Sequence, residues 1–223
     1  MQKKNQLLCI SPINYCETTS YIQIDSECIA SQASLKLLGF TFGNRPGIAA
    51  HLESMWSKYS ARAWAIRRLK KVKVSVGDLV KIYCALVRPI LEFACVIYHC
   101  MATKEQADEI ERLQRNILKV IYGVNVSYSV ALERSGISRL DERRDELVLK
   151  FALKCYKSES FNCWFPPNFE KGYNLRKTDI VLEQFTTRNR MRNNPVYYLR
   201  RKLNEFFNAK NDDGRIGLAG MTN

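Results

Sequence analysis

The 223-residue sequence predicts a mainly α chain: a helical bundle preceded by a small, incomplete β-hairpin region and followed by a basic, partly irregular C-terminal segment. Three observations predict this. From Pro46 to Lys157, apolar residues recur at helical spacing, with capping residues at the breaks. Short runs of β-branched and aromatic residues are confined to the first 43 positions. The composition, 46% hydrophobic and 26% charged, is that of an ordinary globular protein rather than a disordered or collagenous one. A chain of this length makes one large domain or two small ones and buries roughly 70% of its unfolded surface.

Taken in order, "LLCIS", "YIQI" and "LKLLGFTF" read as two or three strands separated by polar stretches. So small a sheet is marginal alone, which suggests that the chain begins in the middle of something larger. Pro46 suits the first turn of a helix whose apolar face is Ile48, Leu52, Met55, Trp56, Tyr59, Ala63 and Ile66. Ser75 with Asp78 starts a second helix through Leu79, Ile82, Leu86, Ile90, Phe93 and Ile97, which Pro89 should kink. Thr103 and Gln106 form a capping-box pattern before a third, with a stripe of Ala107, Ile110, Leu113, Ile117 and Ile121 and a terminal Gly123. Short and long helices near 128–134 and 140–157 extend the bundle. Residues 158–194 read as irregular, Asn194-Pro195 opens a last helix with Val196, Leu199, Leu203 and Phe206, and the tail from Asn208 reads as disordered.

Lysine and arginine number 35 against 22 acids, a net charge of +13 that favours a polyanionic partner. The excess is uneven. Residues 46–101 carry 9 cations to 3 acids and residues 161–223 carry 11 to 6, whereas 102–160 nearly balance at 11 to 10. The eight cysteines are scattered singly with no signal peptide before them, so they read as reduced, mostly buried thiols of an intracellular protein, nuclear or cytoplasmic and not secreted. The most apolar window, Leu79 to Met101, is broken by Lys81, Arg88 and Glu92 and reads as a core helix, not a membrane span.

The sharpest candidate site is on the first long helix. Trp64, Arg67, Arg68 and Lys71 fall at i, i+3, i+4 and i+7, away from the apolar stripe. No acid lies between Lys58 and Lys73, so Lys58, Arg62, Lys70 and Lys73 join the set. An aromatic ring among cations stacks on bases while phosphates are neutralised; alternatively Trp64 packs on another helix and the cations complement the helix C-terminus. Arg188, Arg190 and Arg192 alternate with Asn189, Met191 and Asn193, so an extended backbone would send three guanidiniums to one side, along a phosphate backbone or into solvent. Arg112, Arg115 and Lys119 also share a face, but Asp108 and Glu111 sit four residues before the arginines and suggest weak surface ion pairs. The zwitterionic "RLDERRDEL" reads the same way.

Cys95, His99 and Cys100 are metal-like in composition but have no second cluster at finger spacing, and His51 reads as a helix-face residue. No H-E-x-x-H, P-loop, G-x-S-x-G or Cys-His nucleophile pair is present, and Asp212-Asp213 lies among glycines without an aromatic strand before it. The chain by itself is therefore expected not to be an enzyme, with no metal or other cofactor of its own.

"QKKNQLLCIS" followed by "IASQASLKLLGFTFGNRPGIAAHLESMWSKYSARAWAIRRLKK" resembles the last palm strands and the start of the thumb of a non-LTR (LINE-type) retrotransposon reverse transcriptase. "LVKIYCALVRPILEFACVIYHC", "IERLQRNILKVIYG", "LERSGISRLDERRDELVLKFALKCY" and "TRNRMRNNPVYYLRRKLNEF" resemble successive later segments, so the likeness runs from Gln2 to about Phe207. It implies a truncated palm end at 1–43, a helical thumb-like domain at 44–160, a basic post-thumb segment at 161–207 and a tail at 208–223. Leu38, Gly39 and Phe40 match the primer-grip hairpin. Gly39 has a physical rationale in close approach of another backbone, or in a simple bulge. The aromatic-x-Asp-Asp motif, its divalent metals, the endonuclease domain and the zinc knuckle of some relatives match nothing here. The expected function is thus non-catalytic binding of RNA, DNA or an RNA–DNA duplex by a thumb fragment, with fingers and palm supplied elsewhere as a further partner and no membrane involved. The alternative is a helical protein-interaction module derived from a decayed retroelement.

Overall fold

The computed structural model of the chain describes residues 5–10, 21–24, 26–45, 47–167, 180–182 and 194–212. They form a mainly helical protein with two small antiparallel hairpins near the N-terminus. The chain divides into two compact units, Met1–Ala94 with Ala102–Leu140 and Cys95–Met101 with Asp141–Asn223.

In the first unit, β1 (Tyr21–Ile24) pairs with β2 (Glu27–Ala30), and β3 (Ser34–Leu37) with β4 (Phe40–Gly43). The "LLCIS" run contributes only a parallel bridge from Leu7 to Ser31, with Gln32 N–H donating to the Leu7 carbonyl at 2.9 Å. β1 and β2 expose nearly every side chain, as expected for a sheet too small to cover itself. β4 packs on α1 (Ala49–Lys71).

α1 begins at Ala49 without a side-chain cap, and Pro46 lies outside the described residues. Its buried face is Leu52, Met55, Tyr59, Ala63 and Ile66, extended backwards by Ile48. Each large side chain withdrawn from water contributes about 1.5–3 kcal/mol. Trp56, expected on this face, is 43% exposed; His51 takes the inward place instead. α1 ends with Lys73 N–H bonding the Lys70 carbonyl and Val74 N–H bonding that of Leu69, the paired closure in which glycine usually supplies the left-handed residue. Here Lys73 adopts it, at φ 62°.

Ser75 caps α2 (Val76–Ile82) by accepting from Asp78 N–H at 3.2 Å. A π-turn follows at Tyr83–Val87, then α3 (Arg88–Glu92). Pro89 has no N–H to continue α-helical bonding, and Arg88 N–H reaches back five residues to the Tyr83 carbonyl. The wider turn moves the apolar phase. Leu79, Tyr83, Val87 and Leu91, spaced by four, are fully buried, whereas Leu86 and Phe93 from the expected stripe are each 45% exposed.

α5 (Lys104–Tyr122) carries the expected capping box, Gln106 N–H to Thr103 Oγ1 at 3.3 Å and Thr103 N–H to Gln106 Oε1 at 3.0 Å, and ends at Gly123 with φ 102°. Ile110, Leu113, Ile117, Leu118 and Ile121 are buried, and Ala107 is half-buried. Glu111 and Gln114 also point inward. Tyr83 OH donates to Gln114 Oε1, and Gln114 Nε2 donates to Tyr128 OH at 2.9 Å and the Ser138 carbonyl at 3.0 Å. Glu111 accepts from Tyr128 OH and from Leu140 N–H at 3.3 Å. The expected surface pairing of Glu111 with Arg115 is therefore replaced by a buried network, and Arg115 lies over the Tyr128 ring at 5.0 Å. Burial, with the Glu111 contact second, raises the Tyr128 phenol above its ordinary value. α6 (Tyr128–Ser135), capped by Ser127 and closed by left-handed Gly136, completes the unit.

The second unit contains α4 (Cys95–Tyr98), most of α7 (Leu140–Tyr156), a 3-10 segment (Glu159–Trp164) and α8 (Pro195–Asp212). Its core is Val148, Ala152, Cys155, Phe165, Val181, Leu199, Leu203 and Phe207. Because α7 and α8 share that core, the chain does not divide at 160, where the sequence suggested a boundary. α8 starts at Pro195 as expected and continues through Asn208 to Asp212, so the first five residues expected in a disordered tail are helical; residues 213–223 lie outside the described ones.

Candidate nucleic-acid interface

The expected cationic set on α1 separates into three groups once the helix is formed. Trp64, Arg67, Arg68 and Lys71 are exposed on the side opposite the buried stripe. The indole is 61% exposed, and the Arg68 guanidinium lies over it at 5.5 Å. Ser57, Ser60 and Ala61, one and two turns earlier on this face, are exposed and small, so the ring stands above its surroundings. A flat aromatic surface flanked by fixed positive charge can take a base face or a sugar while its neighbours meet phosphates. The alternative packing of Trp64 against another helix is not what the chain adopts.

Lys70 belongs to a second group. It sits toward the buried side, and its Nζ donates to the Ile121 carbonyl at 2.7 Å, placing a cation on the last turn of α5. This holds two helices together and leaves Lys70 outside the exposed face. Lys73, beyond the helix end, is exposed in its left-handed closure.

Lys58 and Arg62 form the third group, on the opposite flank of the buried stripe. Arg62 Nη1 donates to the Leu86 carbonyl in the π-turn at 3.1 Å. Between α1 and the π-turn and α3 lies a groove of about 230 Å³. Met55, Lys58 and Arg62 line one wall, and Leu86, Pro89, Ile90 and Phe93 the other, with His51 at one end. The sequence hid this groove because a helix read at 3.6 residues per turn places Leu86 and Phe93 in the core.

The hairpin of Leu38, Gly39 and Phe40 adjoins the Phe93 end of that groove. Leu37 pairs with Phe40, so Leu38-Gly39 is a two-residue turn with φ 48° and 87°, both positive as a tight hairpin requires. Gly39 is neither a bulge nor a site of backbone approach: a Cβ there would lie 2.8 Å from the Phe93 ring. Phe40 is buried, stacked on His51 with ring centroids 4.2 Å apart. Only Leu38, 92% exposed, projects for contact. Burial pushes the His51 imidazole below its usual value, Lys58 adds to this, and the Phe93 backbone works against it.

In the second unit the cations are engaged internally. Arg200 is buried and its Nε donates to the Trp164 carbonyl, Arg201 lies over the Tyr198 ring at 5.0 Å, and Lys202 bonds Asp145 at 3.4 Å and Glu205 at 3.2 Å. Arg188, Arg190 and Arg192 lie outside the described residues. His99 lies between Asp145, 2.9 Å from its Nε2, and Arg144, whose Nε donates to its Nδ1 at 3.3 Å. The arginine fixes the neutral tautomer with the proton on Nε2. Burial and Arg144 lower the His99 pKa, opposed by Asp145. Cys95 and Cys100 are buried, and burial pushes the Cys100 thiol up to about 11. Among the described residues no three His, Cys, Asp or Glu side chains converge as a metal site, and no helix is long and apolar enough to cross a membrane.

Comparison with family models, curated proteins and solved structures returns no match to this chain.

Proposed function

We propose that this chain binds RNA, DNA or an RNA–DNA duplex through the outward face of α1, as the thumb portion of a non-LTR retrotransposon reverse transcriptase, with bond-making chemistry carried by residues outside it. One observation supports the reading above the rest: Trp64 is 61% exposed, overlaid by Arg68 and flanked by Arg67 and Lys71, with no acid from Lys58 to Lys73. A solvated helix face gains nothing from an exposed indole. A polyanion with flat bases uses both features. The hairpin clamped on α1 through Phe40 and His51 gives that face a rigid support beside Leu38.

Fluorescence anisotropy of the 223-residue chain with a labelled RNA–DNA duplex tests this. Affinity should fall with salt at a log–log slope of about −3 to −4, as for three to four phosphate contacts. Trp64→Ala should weaken binding about tenfold with unchanged circular dichroism. A flat salt response, or no binding at low salt, would overturn the reading.

A further inference from the structure

The groove between α1 and the π-turn is distinct from the Trp64 face and has a different chemistry. Its floor and far wall are alkyl and ring carbon from Met55, Leu86, Pro89 and Phe93, and its charged groups are Lys58 and Arg62, one turn apart on α1. No acid lines it. Leu86 and Phe93 are each 45% exposed, so apolar surface meets solvent here beside uncompensated positive charge.

Size narrows the occupant. Pockets that enclose a whole small ligand run from about 300 to 1,000 Å³, and this one is smaller at about 230 Å³. It suits one or two side chains presented by a larger molecule. A nucleic-acid duplex offers a continuous phosphate–sugar ridge and keeps its bases stacked, so it has no alkyl group to seat on Met55 and Leu86. An amphipathic peptide helix with leucine or phenylalanine on one face and carboxylates alongside supplies both parts: the apolar anchors fill the groove and the acids meet Lys58 and Arg62. The π-turn holds the groove open, because it turns Leu86 out of the buried stripe and presents its carbonyl to Arg62. We infer that this groove docks an acidic, amphipathic helical segment of a partner protein, independently of nucleic-acid binding on the opposite flank of α1.

Methyl-labelled full-length chain, titrated with a synthetic helix bearing leucine and phenylalanine on one face and glutamate on the other, tests the assignment. The Met55, Leu86 and Ile90 methyl resonances should shift. Lysine in place of every glutamate should abolish the shifts. Leu86→Asp should weaken peptide binding about tenfold or more and leave duplex affinity unchanged. If Leu86→Asp alters the circular dichroism, Lys58→Glu gives the same comparison from an exposed position. Three results would each overturn the proposal: unmoved methyls, equal binding of the lysine peptide, or the same methyl shifts and peptide displacement produced by an RNA–DNA duplex.

Discussion

α1 and α5 are the two long helices of the first unit, of 23 and 19 residues, and they handle charge in opposite ways. α5 carries four cations and four acids, with Glu111 buried in a hydrogen-bonded network and Arg115 laid over Tyr128. α1 carries six cations and one acid, Glu53. Lys70 and Arg62 are tied to carbonyls of neighbouring elements, while Arg67, Arg68 and Lys71 stay on the surface around an exposed indole. The number of cations does not distinguish a binding face, since both helices have many. What distinguishes it is positive charge that the protein's own acids, carbonyls and rings leave uncompensated.

The comparison breaks most severely at Glu111. Glu111→Ala should destabilise the chain by about 3–5 kcal/mol in urea denaturation, because the Tyr128 hydroxyl and Leu140 N–H lose a buried charged acceptor. A loss under 1 kcal/mol would mean that α5 is no more internally committed than α1. Reversing the outward set, Arg67→Glu with Arg68→Glu and Lys71→Glu, should leave the unfolding midpoint nearly unchanged and cut duplex affinity about 100-fold at low salt, a difference of about 3 kcal/mol. If stability collapses instead, the outward cations are structural like Lys70.

Acid sharpens the contrast between the two supports. His51, under α1, is held below its ordinary pKa of 6.5 by burial, so below that pH the unfolded chain takes up a proton that the folded chain resists. Stability is full above pH 6.5 and falls with decreasing pH. By pH 5.5 the loss is at most about 1.4 kcal/mol per imidazole, with His99 acting in the same direction. His51→Phe, which keeps a ring against Phe40, should flatten part of the thermal-midpoint fall between pH 7.5 and 5.5; an unchanged slope would exclude His51 as its source. The smallest effect concerns Lys73. Lys73→Gly relieves the left-handed backbone and should raise stability by up to about 1 kcal/mol while removing one cation from the salt dependence.

Much of the scaffold was legible because its signals are local. The Thr103–Gln106 box, the Ser75 cap, the Gly123 terminus and Pro195 at the head of α8 act through neighbours a few positions away. The exposed Trp64–Arg68 face followed from spacing alone. The misreadings share another cause, partners distant in sequence. Glu111 looked like half of a surface ion pair until Tyr128 and Leu140 turned it inward. Lys70 looked equivalent to Lys71 until the end of α5 claimed it. Phe40 looked like a contact residue before His51 covered it, and the core phase after Ile82 could not be read without the π-turn.

That π-turn gives the chain one residue more than an α-helix would use over the same rise. Removing a single residue from 83–87 would tighten the winding and rotate everything up to Phe93 by about 100° relative to α2. Phe93 would then leave Gly39, so the hairpin tip would lose its seat without any change in its own sequence. A length variant at this point is thus a long-distance lever on Leu38, acting through rotation rather than through contact.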